Sequence, residues 1–310
     1  MPQFYLIPKR LARKAPWLVL ASQRVEAQGF RLVFWIMRRL SVERACRLSA
    51  FLFRLVGPHS DKARKARINL AIAFPDSSPQ WRDQTTAEIF GHLGNSAAEL
   101  IKLEQIWEQR AERLEFVLQS GARAHIEANG PTVFVTAHIG AWQVTNLIGL
   151  QYGLTISTIY AAESNPILRD AMLELRQSFG VRLIASDAGV RPLIRELTAG
   201  HSIGMAMDTR LDTGTLIPFF GREALTNTTA ARLALRTGAA LIPIRAERLP
   251  QGRFRITAYD PLNCDNPQAS SDEQAVELTA RINRCFETWI REAPAQWICL
   301  KRRWPKASKL

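Results

Sequence analysis

His138 closes an apolar run, Thr132-Val133-Phe134-Val135-Thr136-Ala137, that follows a Gly130-Pro131 turn signal. The run reads as a buried strand. In open α/β sheets, ligands gather at the carboxyl ends of strands. An imidazole placed there titrates near neutral pH and can accept a proton. Gly140 leaves room for another molecule to approach, and Trp142 and Gln143 open the next element. The plainer alternative is a histidine that only caps a core strand.

Two further strand ends collect polar residues. One carries Glu163, Ser164, Asn165 and Arg176. The other is Met207-Asp208-Thr209-Arg210, followed by Asp212 and by Pro218-Phe219-Phe220-Gly221. Side by side, these ends supply a base, an acid and cations, a mixture suited to moving an acyl group onto a hydroxyl. The plainer readings make Arg176 a helix-surface residue and Asp208 a loop cap. The sequence holds no GxSxG elbow, CxxC pair, HExxH or P-loop. That argues against a serine hydrolase, a zinc peptidase or an NTP-driven enzyme. It leaves direct general-base chemistry by His138, with no covalent enzyme intermediate.

The elements that must position these residues alternate. Strands are expected at 132–137, 154–160, 181–185, 202–207, 240–246 and 254–259. Helices are expected from Trp142 towards Leu150 and at 165–179, 189–199, 226–237 and 272–292. Upstream, 62–74, 79–106 (one or two helices) and 111–130 read as helical. The pattern predicts an α/β fold, a largely parallel mixed sheet flanked by helices with right-handed crossovers.

The charge is uneven. Residues 1–72 hold fifteen Lys/Arg against three Asp/Glu, which is +12 of the chain's +13. In residues 1–57 aromatic and aliphatic side chains (Trp17, Phe30, Phe34, Trp35) alternate with Arg31, Arg38, Arg39, Arg44 and Arg47. This predicts an interfacial amphipathic region that lays its rings into a bilayer's headgroup boundary and its cations against anionic lipid. A helix packed on the body with a solvated basic face is the alternative. Residues 1–57 form this region and 58–310 the α/β domain. No recognition motif accompanies the charge, so nucleic acid is not an expected partner. Cys46, Cys264, Cys285 and Cys299 lack metal spacing and read as free thiols in a reducing compartment, with no metal expected. No apolar run is long enough to span a bilayer, and no cleavage site follows Trp17–Ala21, so a secretory signal is not expected.

The segment His138-Ile-Gly-Ala-Trp-Gln143 resembles the H-x4-D/E box of the lysophospholipid acyltransferase superfamily. The wider similarity is to its late lipid A (lauroyl/myristoyl) acyltransferase branch. It is carried by Arg67-Ile-Asn-Leu-Ala-Ile-Ala-Phe-Pro75, Ser164-Asn165-Pro166, Asp187-Ala-Gly-Val-Arg-Pro-Leu193 and Ile217-Pro-Phe-Phe-Gly221. It continues through Thr228–Ala239, Trp289-Ile-Arg and Gln296-Trp297 to Arg302-Arg303-Trp304.

The resemblance implies an acyltransferase-like α/β fold on the cytoplasmic face of the bacterial inner membrane. It implies a lipid acceptor such as a lipid A precursor. It implies an acyl thioester co-substrate, usually on acyl carrier protein, with no further cofactor; an acidic carrier would suit the basic N-terminal region. His138 would be the general base. Arg176 would hold phosphate or the developing oxyanion, and Asp208 would orient Arg176 or the acceptor. Gly140, Trp142, Asn165, Arg210, Phe219 and Gly221 would line the substrate site.

Position 143 departs from the box. Gln143 can orient the imidazole by accepting a hydrogen bond but cannot supply negative charge. Three readings remain open: a slow or inactive lipid- or carrier-binding relative, another acid (Glu163 or Asp208) standing in, or an engineered trap.

Overall fold

The structure is a computed structural model that describes residues 16–160 and 181–305. The chain enters through α1 (Pro16–Arg39) and α2 (Val42–Val56). The Ser41 hydroxyl caps α2 by accepting from the Arg44 N–H. α3 (Asp61–Ala73) stops before Pro75, as a helix must ahead of a ring that disfavours the helical conformation in its predecessor. α4 (Pro79–Glu108) is one unbroken helix of 30 residues, capped by the Ser78 hydroxyl on the Trp81 N–H.

Two buried charged side chains of α4 tie it to its neighbours, one at the end of α1 and one on Arg248. The Lys102 ammonium of α4 donates to the Arg38 carbonyl at 2.9 Å, to the Leu40 carbonyl and to Gln105 Oε1, closing the carboxyl end of α1. Glu99 of α4, 1% exposed, accepts a bidentate pair from Arg248 at 2.5 and 2.9 Å. Arg248 also reaches Ser96 at 2.8 Å. Val42 and Ala45 of α2 are fully buried, so the first part of α2 packs on the body, while residues 51–56 are exposed.

β1 (Leu114–Leu118) and α5 (Ser120–Glu127) follow. Residues 111–130 were expected to be helical throughout. The correction has a physical cause: Leu114–Leu118 pairs in parallel with Phe254–Ala258, and edge pairing overrides local helical preference. β2 (Thr132–Thr136) is buried at every position. A 3₁₀ turn (Trp142–Asn146) leads into the short α6 (Leu147–Tyr152), where a continuous helix was expected. Then come β3 (Ile156–Tyr160), β4 (Arg182–Ala185), α7 (Arg191–Thr198) and β5 (Ser202–Ala206). The hairpin β6 (Thr215–Phe219) and β7 (Arg222–Thr226) was not anticipated. α8 (Thr229–Thr237), β8 (Ala240–Leu249), β9 (Arg253–Ala258) and α9 (Ser271–Glu292) complete the domain. The helix expected at 165–179 lies outside the described residues.

The seven-stranded sheet runs β1-β9-β8-β2-β5-β3-β4, parallel except for the antiparallel β8–β9 pair. Val133, Val135, Ile203 and Met205 face one apolar layer with Leu70, Phe286 and Trp289. Phe134, Ile156, Ile242 and Ile244 face the other, with Leu103, Ile126 and Leu147. Burial on both faces explains why the central strands are continuously apolar rather than alternating.

Candidate active site

β2 and β5 are parallel neighbours in which Thr136 pairs with Ala206. Each chain continues two residues beyond that pair, so His138 and Asp208 emerge side by side at the carboxyl edge of the sheet. His138 Nδ1 lies 2.7 Å from Asp208 Oδ1, and the His138 backbone N–H donates to the same oxygen at 3.0 Å. The other carboxylate oxygen accepts from the Trp297 indole N–H at 3.0 Å. Trp297 is fixed in turn: its segment bridges Ile139, and the Ile298 N–H donates to the His138 carbonyl at 2.8 Å.

Asp208 is almost fully buried while the imidazole keeps 32% of its side-chain surface. Burial raises the Asp208 carboxyl, but the His138 charge and the hydrogen bonds from His138 and Trp297 outweigh it and hold the group below the ordinary carboxylate value. For His138, burial and the Lys301 cation disfavour protonation. The Asp208 charge and hydrogen bond outweigh both and raise the ring above its ordinary value. An ionised carboxylate only accepts, so Nδ1 carries the proton towards Asp208 and Nε2 is left for a substrate proton.

Two cavities meet at His138. One, of about 320 Å³, runs between α4 and the sheet and is lined by Leu100, Leu103, Phe134, Trp142, Ile148, Ile156 and Leu183, with Gln143, Asn146 and Thr158 among them. The other, of about 600 Å³, carries the basic side chains Arg210, Lys301 and Arg303 beside Asp208 and Asn227, set among apolar residues such as Ile184, Leu193 and Leu300. Among the described residues, no group of His, Cys, Asp and Glu is placed to hold a metal ion.

The residues expected at the site divide. His138 and Asp208 come together. Gln143 does not orient the ring: Asp208 takes that position, and Gln143 Oε1 is buried with no hydrogen-bond partner among the described residues. Trp142 lines the first cavity edge-on to His138, with ring centroids 5.4 Å apart. Arg210 lines the second cavity, ion-paired with Asp212 at 2.8 Å. Asn165 and Arg176, with Glu163, lie outside the described residues.

Three expectations are corrected. Gly140 has φ +59°, and a Cβ there would come within 2.3 Å of the Ala246 carbonyl, so its missing side chain admits strand β8 rather than a substrate. Gly221 (φ +69°) and Phe220 (φ +53°) form the two-residue β6–β7 turn, which needs positive φ at both positions. Phe219 is fully buried beneath the Arg303 guanidinium, 4.8 Å from its ring centroid, and packs on Trp297 and Trp304.

Trp297 and Arg303 were noted in the sequence only as parts of a resemblance, and their roles went unseen. Arg303 donates to the Leu225 carbonyl at 3.0 Å and to Thr226 Oγ1 at 2.7 Å, locking the hairpin to the site. Burial pushes it down to about 10 despite the nearby Asp208 charge. The Gln296-Trp297 and Arg302-Arg303-Trp304 aromatic-basic clusters near the carboxyl end were the available signal.

Comparison with known proteins gives consistent relatives. The chain is 22% identical over 253 residues to a lipid A biosynthesis acyltransferase of Haemophilus influenzae, covering 78% of this chain and 76% of that one. It is 25% identical over 254 residues to the lipid A biosynthesis lauroyltransferase of Escherichia coli K12, covering 77% and 79%. It is 26% identical over 186 residues to a phosphatidylinositol mannoside acyltransferase of Mycobacterium tuberculosis, covering 58% and 57%. The crystal structure of the 1-acyl-sn-glycerophosphate acyltransferase PlsC from Thermotoga maritima aligns with a TM-score of 0.38 at 14% identity, covering 78% of this chain and 97% of that one. The family described as bacterial lipid A biosynthesis acyltransferase matches residues 27–306, so this chain belongs to that family of acyltransferases.

Proposed function

We propose that the protein moves a fatty acyl chain from an acyl thioester, carried by acyl carrier protein, to a hydroxyl of a membrane lipid such as a lipid A precursor. The observation that carries this is the His138–Asp208 pair at the junction of two cavities, one between α4 and the sheet and one carrying Arg210, Lys301 and Arg303. The acyl chain would occupy the first, and the acceptor's polar head the second. His138 Nε2 would take the hydroxyl proton as the oxygen attacks the thioester carbonyl. Asp208 would stabilise the imidazolium that forms, and the proton would then pass to the departing thiolate. This supports an active enzyme over a degenerate lipid-binding relative, because Asp208 supplies the charge that Gln143 lacks.

The same reading places the protein at the cytoplasmic face of the inner membrane. Trp17, Val25, Leu32 and Trp35 of α1 and Phe51, Leu55 and Val56 of α2 are exposed apolar side chains. Arginines are interleaved with them, and Arg39 stacks over Trp35 at 4.9 Å. Rings and aliphatics beside cations suit an anionic lipid surface. Among the described residues no helix is long and apolar enough to cross a membrane. The test of the enzyme reading is transfer from acyl carrier protein thioesters to bacterial lipid, followed by mass spectrometry, with His138→Ala as the control.

A further inference from the structure

We propose that Gly204 determines which acyl chains the site accepts: its missing side chain holds open the middle of the cavity between α4 and the sheet, so that a long chain passes across it. This role rests on the acyltransferase reading and deepens it by naming a residue that selects the donor.

β5 is an inner strand of the sheet, between β2 and β3. Inner parallel strands are usually large and apolar throughout. A glycine inside one weakens it, through chain entropy and through the packing it forgoes. Neither backbone angle nor packing requires this glycine. Its φ is not positive. A Cβ there would meet Asn146 Oδ1 and Thr158 Oγ1 at 3.6 Å and Ile156 Cγ2 at 3.8 Å, which are ordinary contacts. Gly140 differs, because a Cβ there would strike the Ala246 carbonyl. Asn146, Thr158 and Ile156 all line the cavity, as Gly204 does. Gly204 also keeps accessible surface, although Ile203 and Met205 on either side of it are buried. The space its side chain would take therefore belongs to the cavity.

Strand register gives its depth. Gly204 pairs with Phe134 on one side and with Thr158 on the other, and it precedes Asp208 by four residues on the same strand. At about 3.3 Å per residue, the two lie roughly 13 Å apart along the sheet. The cavity reaches further still. Its lining runs from His138 to Ile156, which pairs with Ser202, two residues beyond Gly204. A chain with its thioester at His138 that follows the sheet crosses Gly204 on the way. An extended alkyl chain advances about 1.2 Å per bond, the rate of an extended backbone. A myristoyl chain therefore reaches Gly204, and a hexanoyl chain stops short of it. A branched side chain at position 204 would obstruct the long donor and spare the short one.

The test compares myristoyl and hexanoyl thioesters of acyl carrier protein, using wild type, Gly204→Ala and Gly204→Val. Transfer to bacterial lipid extract is read by mass spectrometry, and donor binding is read separately by thermal shift. Gly204→Val should lose about tenfold or more in kcat/KM and in binding for the myristoyl donor, and keep its use of the hexanoyl donor. Its melting temperature should hold or rise, since valine suits a strand better than glycine. Gly204→Ala should move the myristoyl-to-hexanoyl ratio the same way by less, and it decides the matter if Gly204→Val does not fold. Equal loss of both donors, or undiminished myristoyl use in both variants, overturns the assignment. If wild type transfers neither donor, the acyltransferase reading fails. The binding comparison then still decides whether Gly204 admits the longer chain.

Discussion

His138 and Asp208 stand two residues beyond the paired Thr136 and Ala206 of adjacent parallel strands, and strand register alone makes them partners. Oδ1 of Asp208 binds both the ring and the backbone N–H of His138. The carboxylate thereby fixes the ring's position as well as its tautomer.

Removing the negative charge while keeping the shape isolates that function. Asp208→Asn should lower turnover by about 10³–10⁴, the scale on which an orienting aspartate acts in the Ser-His-Asp arrangement. It should also move the pH profile. In wild type the base must be neutral, so kcat/KM falls as pH drops through the His138 pKa, which lies above the ordinary 6.5. Without the carboxylate, burial and Lys301 remain, and both lower that pKa. The acid limb of Asp208→Asn should therefore shift to lower pH while the plateau drops. A plateau loss with an unmoved limb contradicts the assigned role.

Gly140 is the sharpest steric constraint near the site. Gly140→Ala should destabilise the fold by on the order of 1–3 kcal/mol from the positive φ alone, with a further cost from displacing β8 at Ala246. Thermal unfolding of the purified variant checks this. An unchanged melting temperature contradicts the close strand approach.

The Glu99–Arg248 pair holds α4 against β8. Arg248→Met strands a buried carboxylate and should cost about 3–5 kcal/mol. Adding Glu99→Leu to Arg248→Met should recover most of that loss, because the unpaired charge goes with it. Denaturant unfolding of the single and double variants measures the coupling.

The exposed apolar end of α2 bears on where the protein works. Phe51→Glu with Leu55→Glu should abolish flotation with vesicles containing anionic lipid and leave the melting temperature nearly unchanged, since both positions are solvent-facing. Undiminished flotation shifts the membrane contact elsewhere.

Much of this arrangement was legible in the residues themselves. The buried strand before His138, the strand before Asp208 and the long terminal helix follow from β-branched runs and from turn residues between them. The hidden parts depended on pairing across the chain. Gln143 sits at the box spacing from His138, so local spacing made it the orienting residue. Which carboxylate reaches the imidazole depends on β5 lying beside β2, and sequence proximity does not encode that. The 114–118 strand was hidden because its pairing partner lies about 140 residues away. Trp297 was hidden because an indole N–H becomes a carboxylate ligand only once the carboxyl-terminal segment folds back over His138. Gly140 and Gly221 were expected to line the substrate site, but their positive φ serves the backbone.

The most direct measurement is mass spectrometry of bacterial lipid, including a lipid A precursor, incubated with acyl carrier protein thioesters and each purified protein. Wild type should yield a lipid heavier by one acyl group, and His138→Ala, folded as judged by its melting curve, should yield about 10²–10⁴-fold less. Equal product from the two proteins, or none from wild type with every donor and acceptor, would contradict a His138-based acyl transfer.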